Sequence, residues 1–281
     1  MAEITNAIIM DLRARTNAGM MDCKRALAET NGDMEAAIKI LRLKGLAIQV
    51  KRADKEANQG IVQAAASADG SVKALVEVNS ETDFVAKTDG FKAFVDAVAA
   101  QVLAGDENAA ESLKDELVAI VSTTGENIRI RRTARFARTG NAVIESYIHM
   151  GGKVGVLVEL ACGKAASAAD PAVAELAHDI ALQIAAAAPR WLDQTQVPAE
   201  IVESEKALYR QDPKLAGKPD KIIENALVGK LRKFYSDVCL VNQIFVKDDK
   251  LTVTQVVEAT AKACGDKIAI RRFARFQLGA A

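Results

Sequence analysis

The side chains that most often carry chemistry are few in this sequence and far apart. Its two histidines, His149 and His178, fall on different expected elements. The four cysteines, Cys23, Cys162, Cys239 and Cys264, make neither a C-x-x-C pair nor a Cys/His ligand spacing, so they read as reduced thiols, two or three of them buried. No G-x-S-x-G elbow, nucleotide-binding glycine loop or histidine-rich metal pattern occurs. In "GMMDCK", Lys24 beside Cys23 would lower the thiol pKa at an exposed site, whereas a buried thiol is inert, and the buried reading is preferred. The sequence therefore predicts a protein that is not an enzyme and calls for no metal or cofactor.

Two other stretches suit binding. In "ETDFVAK", residues 81–87, Phe84 follows Thr82 and Asp83, both good helix N-cap types. One reading tucks Phe84 into the core of an ordinary helix. The other leaves the ring at the tip of a helix start, where burial in a partner pocket is worth about 1.5–3 kcal/mol. The second stretch is Met20-Met21, at the start of a helix. Neighbours differ by about 100° around the axis, so both cannot face inward, and a methionine facing out suits a partner helix. Met21 in the core with Met20 incidental is the competing arrangement.

Arginine-rich runs offer a different chemistry. "GENIRIRRTARF" from Gly125 and "GDKIAIRRFARF" from Gly265 repeat each other at Gly, acid, Ile, Ile-Arg-Arg and Ala-Arg-Phe. With Phe136 and Phe276 close by, Arg131, Arg132, Arg271 and Arg272 form an RNA-binding alternative through phosphate contacts and stacking. Alternation favours a plainer reading: isoleucines on the buried face of a sheet strand and arginines on a solvated one. With 37 basic and 37 acidic residues, the chain lacks the net charge that would draw it to nucleic acid or an acidic membrane. No apolar run approaches the roughly 18 residues needed to span a bilayer. The N-terminus, with Glu3 before its apolar stretch, does not read as a signal peptide, and the expected location is cytoplasmic.

The elements that must position these residues follow from period and punctuation. Residues 1–50 predict a three-helix module. Its first helix, with Ile8, Ile9 and Leu12 inward, ends at Asn17 and Gly19; its second stops at Asn31-Gly32. The third starts at Asp33 and ends before Gly45. Residues 51–60 read as a charged linker. From 61 the pattern becomes strand-like, with a hairpin around Asp69-Gly70, then a helix from Asp83 to about Gly105 and another over roughly 109–122. "VKALVEV" from Val72 and "VGVLVEL" from Val154 echo each other at an offset different from that of the arginine runs. This predicts two related α+β subdomains with antiparallel sheets, over 61–140 and over 141–188 with 236–281, rather than a solenoid. Between the halves of the second, residues 189–235 predict an antiparallel helical hairpin joined by "DPKLAGKP".

"ITNAIIMDLRARTNAGMMDCKRAL", "VNSETDFVAK" and "GENIRIRR", in this order over residues 2–276 with a helical-hairpin insert, resemble bacterial elongation factor Ts. The resemblance implies a UBA-like N-terminal module, a two-part core, a coiled-coil insertion, and guanine nucleotide exchange on elongation factor Tu during translation. By that likeness Thr82, Asp83, Phe84 and Val85 reach the GTPase domain, where Phe84 wedges behind the magnesium site and dislodges Mg²⁺. Arg13, Met20 and Met21 grip a helix of the same domain, while His149 and Gly151 meet the partner from the second subdomain. The likeness implies contact with a further domain of elongation factor Tu, the hairpin as a surface for a homodimer, and no direct nucleic-acid or membrane partner. The sequence departs from the family at Asn17, often Gly there, and in ending soon after the last strand, where some members carry a further helix.

Overall fold

The computed structural model describes residues 4–16, 18–215 and 217–280, except the side chain of Lys214, and shows an α+β protein of two contact-dense units. The first comprises the chain up to Phe136, together with Ile148–Gly155 and the segment from Phe276. It opens with α1 (Asn6–Thr16), α2 (Met20–Glu29) and α3 (Met34–Arg52), packed through Ile9, Leu12, Cys23, Leu27, Ala37 and Leu41. Asn31 and Gly32, with φ of 51° and 89°, end α2, and Asp33 caps α3 by accepting from the Ala36 N–H at 3.0 Å. Asn17, expected to close α1, lies outside the described residues.

The predicted end of the third helix at Gly45 is wrong. α3 continues to Arg52, and Gly45 is buried inside it. A Cβ there would stand 2.6 Å from Val118 Cγ1 and 2.7 Å from the Val118 carbonyl. The glycine is thus needed for close approach of α3 to the later helix that carries Val118, and not for a stop.

Strands β1 (Gln59–Ala66) and β2 (Val72–Ser80) form the expected antiparallel hairpin, from Gln59 opposite Ser80 to Ala66 opposite Lys73. Its turn is tied by the Asp69 carboxylate, which accepts from the Ser67 hydroxyl at 2.7 Å and the Ser71 N–H at 3.0 Å. Those bonds, the Ser67 one first, hold its pKa down at about 2. Helices α4 (Asp83–Ala86), α5 (Asp89–Ala104), α6 (Ala109–Ser112) and α7 (Lys114–Thr124) lead to β3 (Arg129–Ala137), which completes the sheet in the order β1-β2-β3. The sequence reading had two helices here. A second cap, Thr88, accepts from the Phe91 N–H and separates α4 from α5, and Leu113 separates α6 from α7. Phe91, Phe94 and Val95 share the core with Val76, Val78 and Val121.

The second unit holds most of β4 (Ala142–His149) and of β5 (Val154–Cys162), whose facing ends belong to the first, followed by α8 (Ala165–Ala168) and α9 (Pro171–Ala187). Helices α10 (Ala199–Arg210) and α11 (Asp220–Val238) form the expected hairpin. Its base is closed by Val197, Phe234 and Cys239, with Trp191 and Ile201 against them. An ion pair from Arg210 to Glu224 at 3.0 Å joins the two helices, and Leu208, Ile222 and Val228 stay exposed along them. A small antiparallel ribbon, β6 (Ile244–Phe245) with β7 (Asp248–Thr252), leads to α12 (Val253–Ala263) and β8 (Ile268–Gln277). The sheet order is β4-β5-β8.

The two sequence echoes meet at buried carboxylates. Glu77 on β2 has no exposed surface and accepts from Arg132 Nε at 2.7 Å and the Gly279 N–H at 2.9 Å. Glu159 on β5, equally buried, accepts from Arg271 at 2.7 Å and Arg272 Nε at 2.6 Å. The arginines read from alternation as a solvated face are therefore partners of buried acids. A carboxylate without water needs such donors, since its desolvation costs several kcal/mol.

Gly45→Ala tests the α3–α7 contact. Alanine raises helix propensity by about 1 kcal/mol, yet overpacking against Val118 should destabilise by about 1–3 kcal/mol. Urea denaturation should give a net loss.

Candidate functional site

Phe84 is 78% exposed, on the first turn of α4. Of the two readings of "ETDFVAK", the structure realises the outward one. A ring held out by so short a helix needs a fixed turn beneath it, and a network of side chains supplies one. Thr82 is the N-cap, accepting from the Val85 N–H at 3.3 Å. Its hydroxyl donates to Glu126 Oε1 at 2.6 Å, and Glu126 Oε2 accepts from the N–H groups of Glu81 and Thr82, both at 3.1 Å. In return the Glu81 carboxylate accepts from the Asn127 N–H at 2.6 Å and, through both oxygens, from Arg52 at 2.8 Å. Burial pushes the Glu81 pKa up, but Arg52 and the Asn127 N–H outweigh it and hold the carboxyl below its usual range.

Asp83 follows the cap and pairs with Lys87 at 2.5 Å; that bond, with the more distant charge of Lys153, keeps its carboxyl low. The ammonium of Lys87 lies 5.9 Å from the Phe84 ring centroid. Val85 is half-buried and lines a groove of about 950 Å³ with Phe91, Phe94, Ile120 and, from α1, Arg13 and Arg15. Arg13 and Val85 thus line one groove. His149, the last residue of β4, and Gly151 on the β4–β5 turn are exposed and belong to the same unit. There the Gly152 carbonyl accepts from the Val62 N–H of β1 at 2.8 Å, and α4 packs against β1 as well. Met20 and Met21 both face solvent, at 49% and 64% exposure, while Cys23, Ala26 and Leu27 fill the inward face of α2. The core place considered for Met21 is therefore not taken.

The rival chemistries find little here. Cys23 and Cys239 have no exposed surface, and burial raises both thiols, Cys239 to about 11. The depression of Cys23 by Lys24 does not occur. Phe136 and Phe276 are buried, and the Arg132 guanidinium stacks over Phe276 at 4.6 Å, so neither ring offers a platform for a base. His178 sits edge-on to Tyr147, near Glu145, in the other unit from His149. Among the described residues, no group of three or more His, Cys, Asp or Glu is placed to hold a metal ion, and no helix is long and apolar enough to cross a membrane.

Sequence reasoning missed Glu126, Glu81 and Arg52. One signal was present. The acid that opens each arginine repeat is Glu126 in one copy and Asp266 in the other. Asp266 Oδ2 accepts from the Lys164 N–H at 2.8 Å, just ahead of the other one-turn helix, α8. The same device recurs, with Ala166 where the first copy has Phe84.

The family model described as elongation factor Ts matches residues 81–280. The chain is 46% identical to elongation factor Ts of Trichlorobacter lovleyi over 98% of its own length and 93% of that protein's. Against elongation factor Ts of Clostridium botulinum the identity is 42%, over 96% and 91%. Against that of Desulfovibrio desulfuricans it is 42% over the full length of both.

Two outcomes are expected from this geometry. Maleimide labelling at neutral pH, followed by peptide mass spectrometry, should reach half-buried Cys162 and Cys264 before Cys23 and Cys239. Fast selective labelling of Cys23 would contradict its burial. Because the folded pKa of Glu81 lies below 4.5, its stabilisation should be full above that pH and fade as pH falls through the folded value. In denaturant titrations Glu81→Gln should thus be less stable than the parent at pH 7, with the gap narrowing below pH 4.5.

Proposed function

The chain belongs to the elongation factor Ts family, proteins of translation elongation that are not enzymes, and on that premise we propose that it is a guanine nucleotide exchange factor for elongation factor Tu. The observation that carries this reading is the exposed Phe84 on a fixed turn. The ring enters the GTPase domain behind its magnesium site, with Thr82, Asp83 and Val85 around it, and Mg²⁺ leaves. Loss of that cation uncovers the repulsion of the nucleotide phosphates. A partner that binds the nucleotide-free GTPase more tightly than the GDP form must weaken GDP binding by the same factor, so no acid or base of this chain is required.

The remaining parts take supporting roles. The UBA-like module of residues 1–50, joined through 51–60, grips a helix of the GTPase domain. Arg13 contributes charge, and Met20 and Met21 a pliable apolar contact that exposure on the first turn of α2 favours. His149 and Gly151 reach the partner from the turn that the second subdomain (141–188 and 236–281) contributes, and that subdomain meets a further domain of elongation factor Tu. The coiled-coil insertion of 189–235 offers Leu208, Ile222 and Val228 to a second copy. The arginine repeats are structural, since their guanidinium groups already hold Glu77 and Glu159.

Release of a fluorescent GDP analogue from elongation factor Tu tests the reading. The parent should accelerate it. Phe84→Ala should lose the roughly 1.5–3 kcal/mol of ring burial, about ten- to a hundredfold in exchange efficiency. Equal acceleration by both proteins would remove Phe84 from the mechanism, and none by the folded parent would overturn the function.

A further inference from the structure

We propose that Glu126 is a positioning residue for exchange, which presets the Phe84 turn through a reciprocal carboxylate clasp between residues 81–82 and 126–127. The inference rests on the exchange reading for its consequence, though not for its geometry. Glu126 reaches back to two consecutive backbone N–H groups and one hydroxyl, while Glu81 reaches forward to the N–H of Asn127. Each segment thus lends a side chain to the other's backbone. A turn bound at one point could still pivot; bound at two, it is fixed in direction.

Three further contacts stiffen the clasp. Arg52, the last residue of α3, holds both oxygens of Glu81. The buried Asn127 side chain donates to the Lys55 carbonyl at 2.7 Å, so the chain just beyond α3 is tied to the same place. The Ser80 hydroxyl donates to the Thr82 carbonyl at 2.9 Å. Both oxygens of half-buried Glu126 are engaged on the turn. Its contribution to docking runs through Phe84. An exposed ring on a loose turn would have to be ordered as it bound, which lowers affinity; a preset turn has met that cost during folding.

The duplicated half supplies an internal comparison. There Asp266 clamps the Lys164 N–H before α8, and Ala166 replaces the ring. The clamp orders a strand-to-helix turn in both halves, and only the first places an anchor on it.

The test combines two readouts. Hydrogen–deuterium exchange should show the amides of Glu81 and Thr82 protected in the parent and exchanging about tenfold faster or more in Glu126→Ala, with the rest of the unit unchanged. Glu126→Gln, which keeps an acceptor oxygen, should recover part of the protection and serves as the working variant if the alanine protein does not fold. In GDP release, Glu126→Ala should lower efficiency about tenfold, chiefly by raising the concentration needed for half-maximal acceleration. Placed on Phe84→Ala, it should cost nothing further, because it acts through the ring.

An equal cost in both backgrounds would overturn the proposal, as would unchanged exchange at Glu81 and Thr82. Should the parent itself fail to accelerate GDP release, the exchange reading falls on its own. The amide measurement then decides the clasp: lost protection in the variants upholds it, and retained protection overturns it.

Discussion

Glu77 and Glu159 have no surface in contact with water, and each sits in the central strand of a three-stranded sheet. A buried carboxylate is tolerated only where donors surround it, so the neighbouring strand must deliver guanidinium groups to it. Arg132 meets this demand on β3, and Arg271 with Arg272 on β8. Each acid thus meets two consecutive arginines of the closing strand, Arg131-Arg132 for Glu77 and Arg271-Arg272 for Glu159. The pairing ties the closing strand to the central one in both sheets, and with it the place of the segment just before that strand. In the first unit that segment contains Glu126 and Asn127, so the turn beneath Phe84 inherits its position from a carboxylate buried in the sheet.

This makes the exposed ring the end of a chain of constraints. The closing strand places Glu126, and Glu126 places the backbone of residues 81 and 82. The Thr82 cap then starts a helix too short to fold the ring back, and Thr88 starts the next helix before the first can continue. Phe91 and Phe94 lie on α5 and turn inward, while Phe84, on α4, does not. The separation of an anchor from a core residue thus depends on a threonine four positions further along.

Much of the architecture was legible in the residues. The hairpin at Asp69-Gly70, the cap at Asp33, the helical-hairpin insertion and the duplicated arginine runs all carry local signals, and local signals survive without tertiary context. What was not legible depends on partners distant in sequence. Alternation tells which face of a strand an arginine takes, but not that the facing strand buries an acid; hence the solvated reading of Arg132 and Arg272. Gly45 reads as a stop because glycine is a poor helix former, and only the approach of Val118 reveals its other use. For Phe84 the N-cap residues fixed a helix start without telling its length, and length decides whether the ring is covered. The repeated acid of Glu126 and Asp266 was visible, but its reach back to the turn was not.

The Gly279 N–H that completes the shell of Glu77 has a consequence for the order of synthesis. A ribosome delivers β2 and β3 long before residue 279, so Glu77 must wait with Arg131, Arg132 and the Asn79 side chain while the whole second unit emerges. Loop closure across such a separation is slow, and until it occurs one lone pair of a buried acid lacks its donor. The first unit to leave the tunnel is therefore the last to be finished, and nascent chains stalled inside the second unit should hold the first in a loosened state.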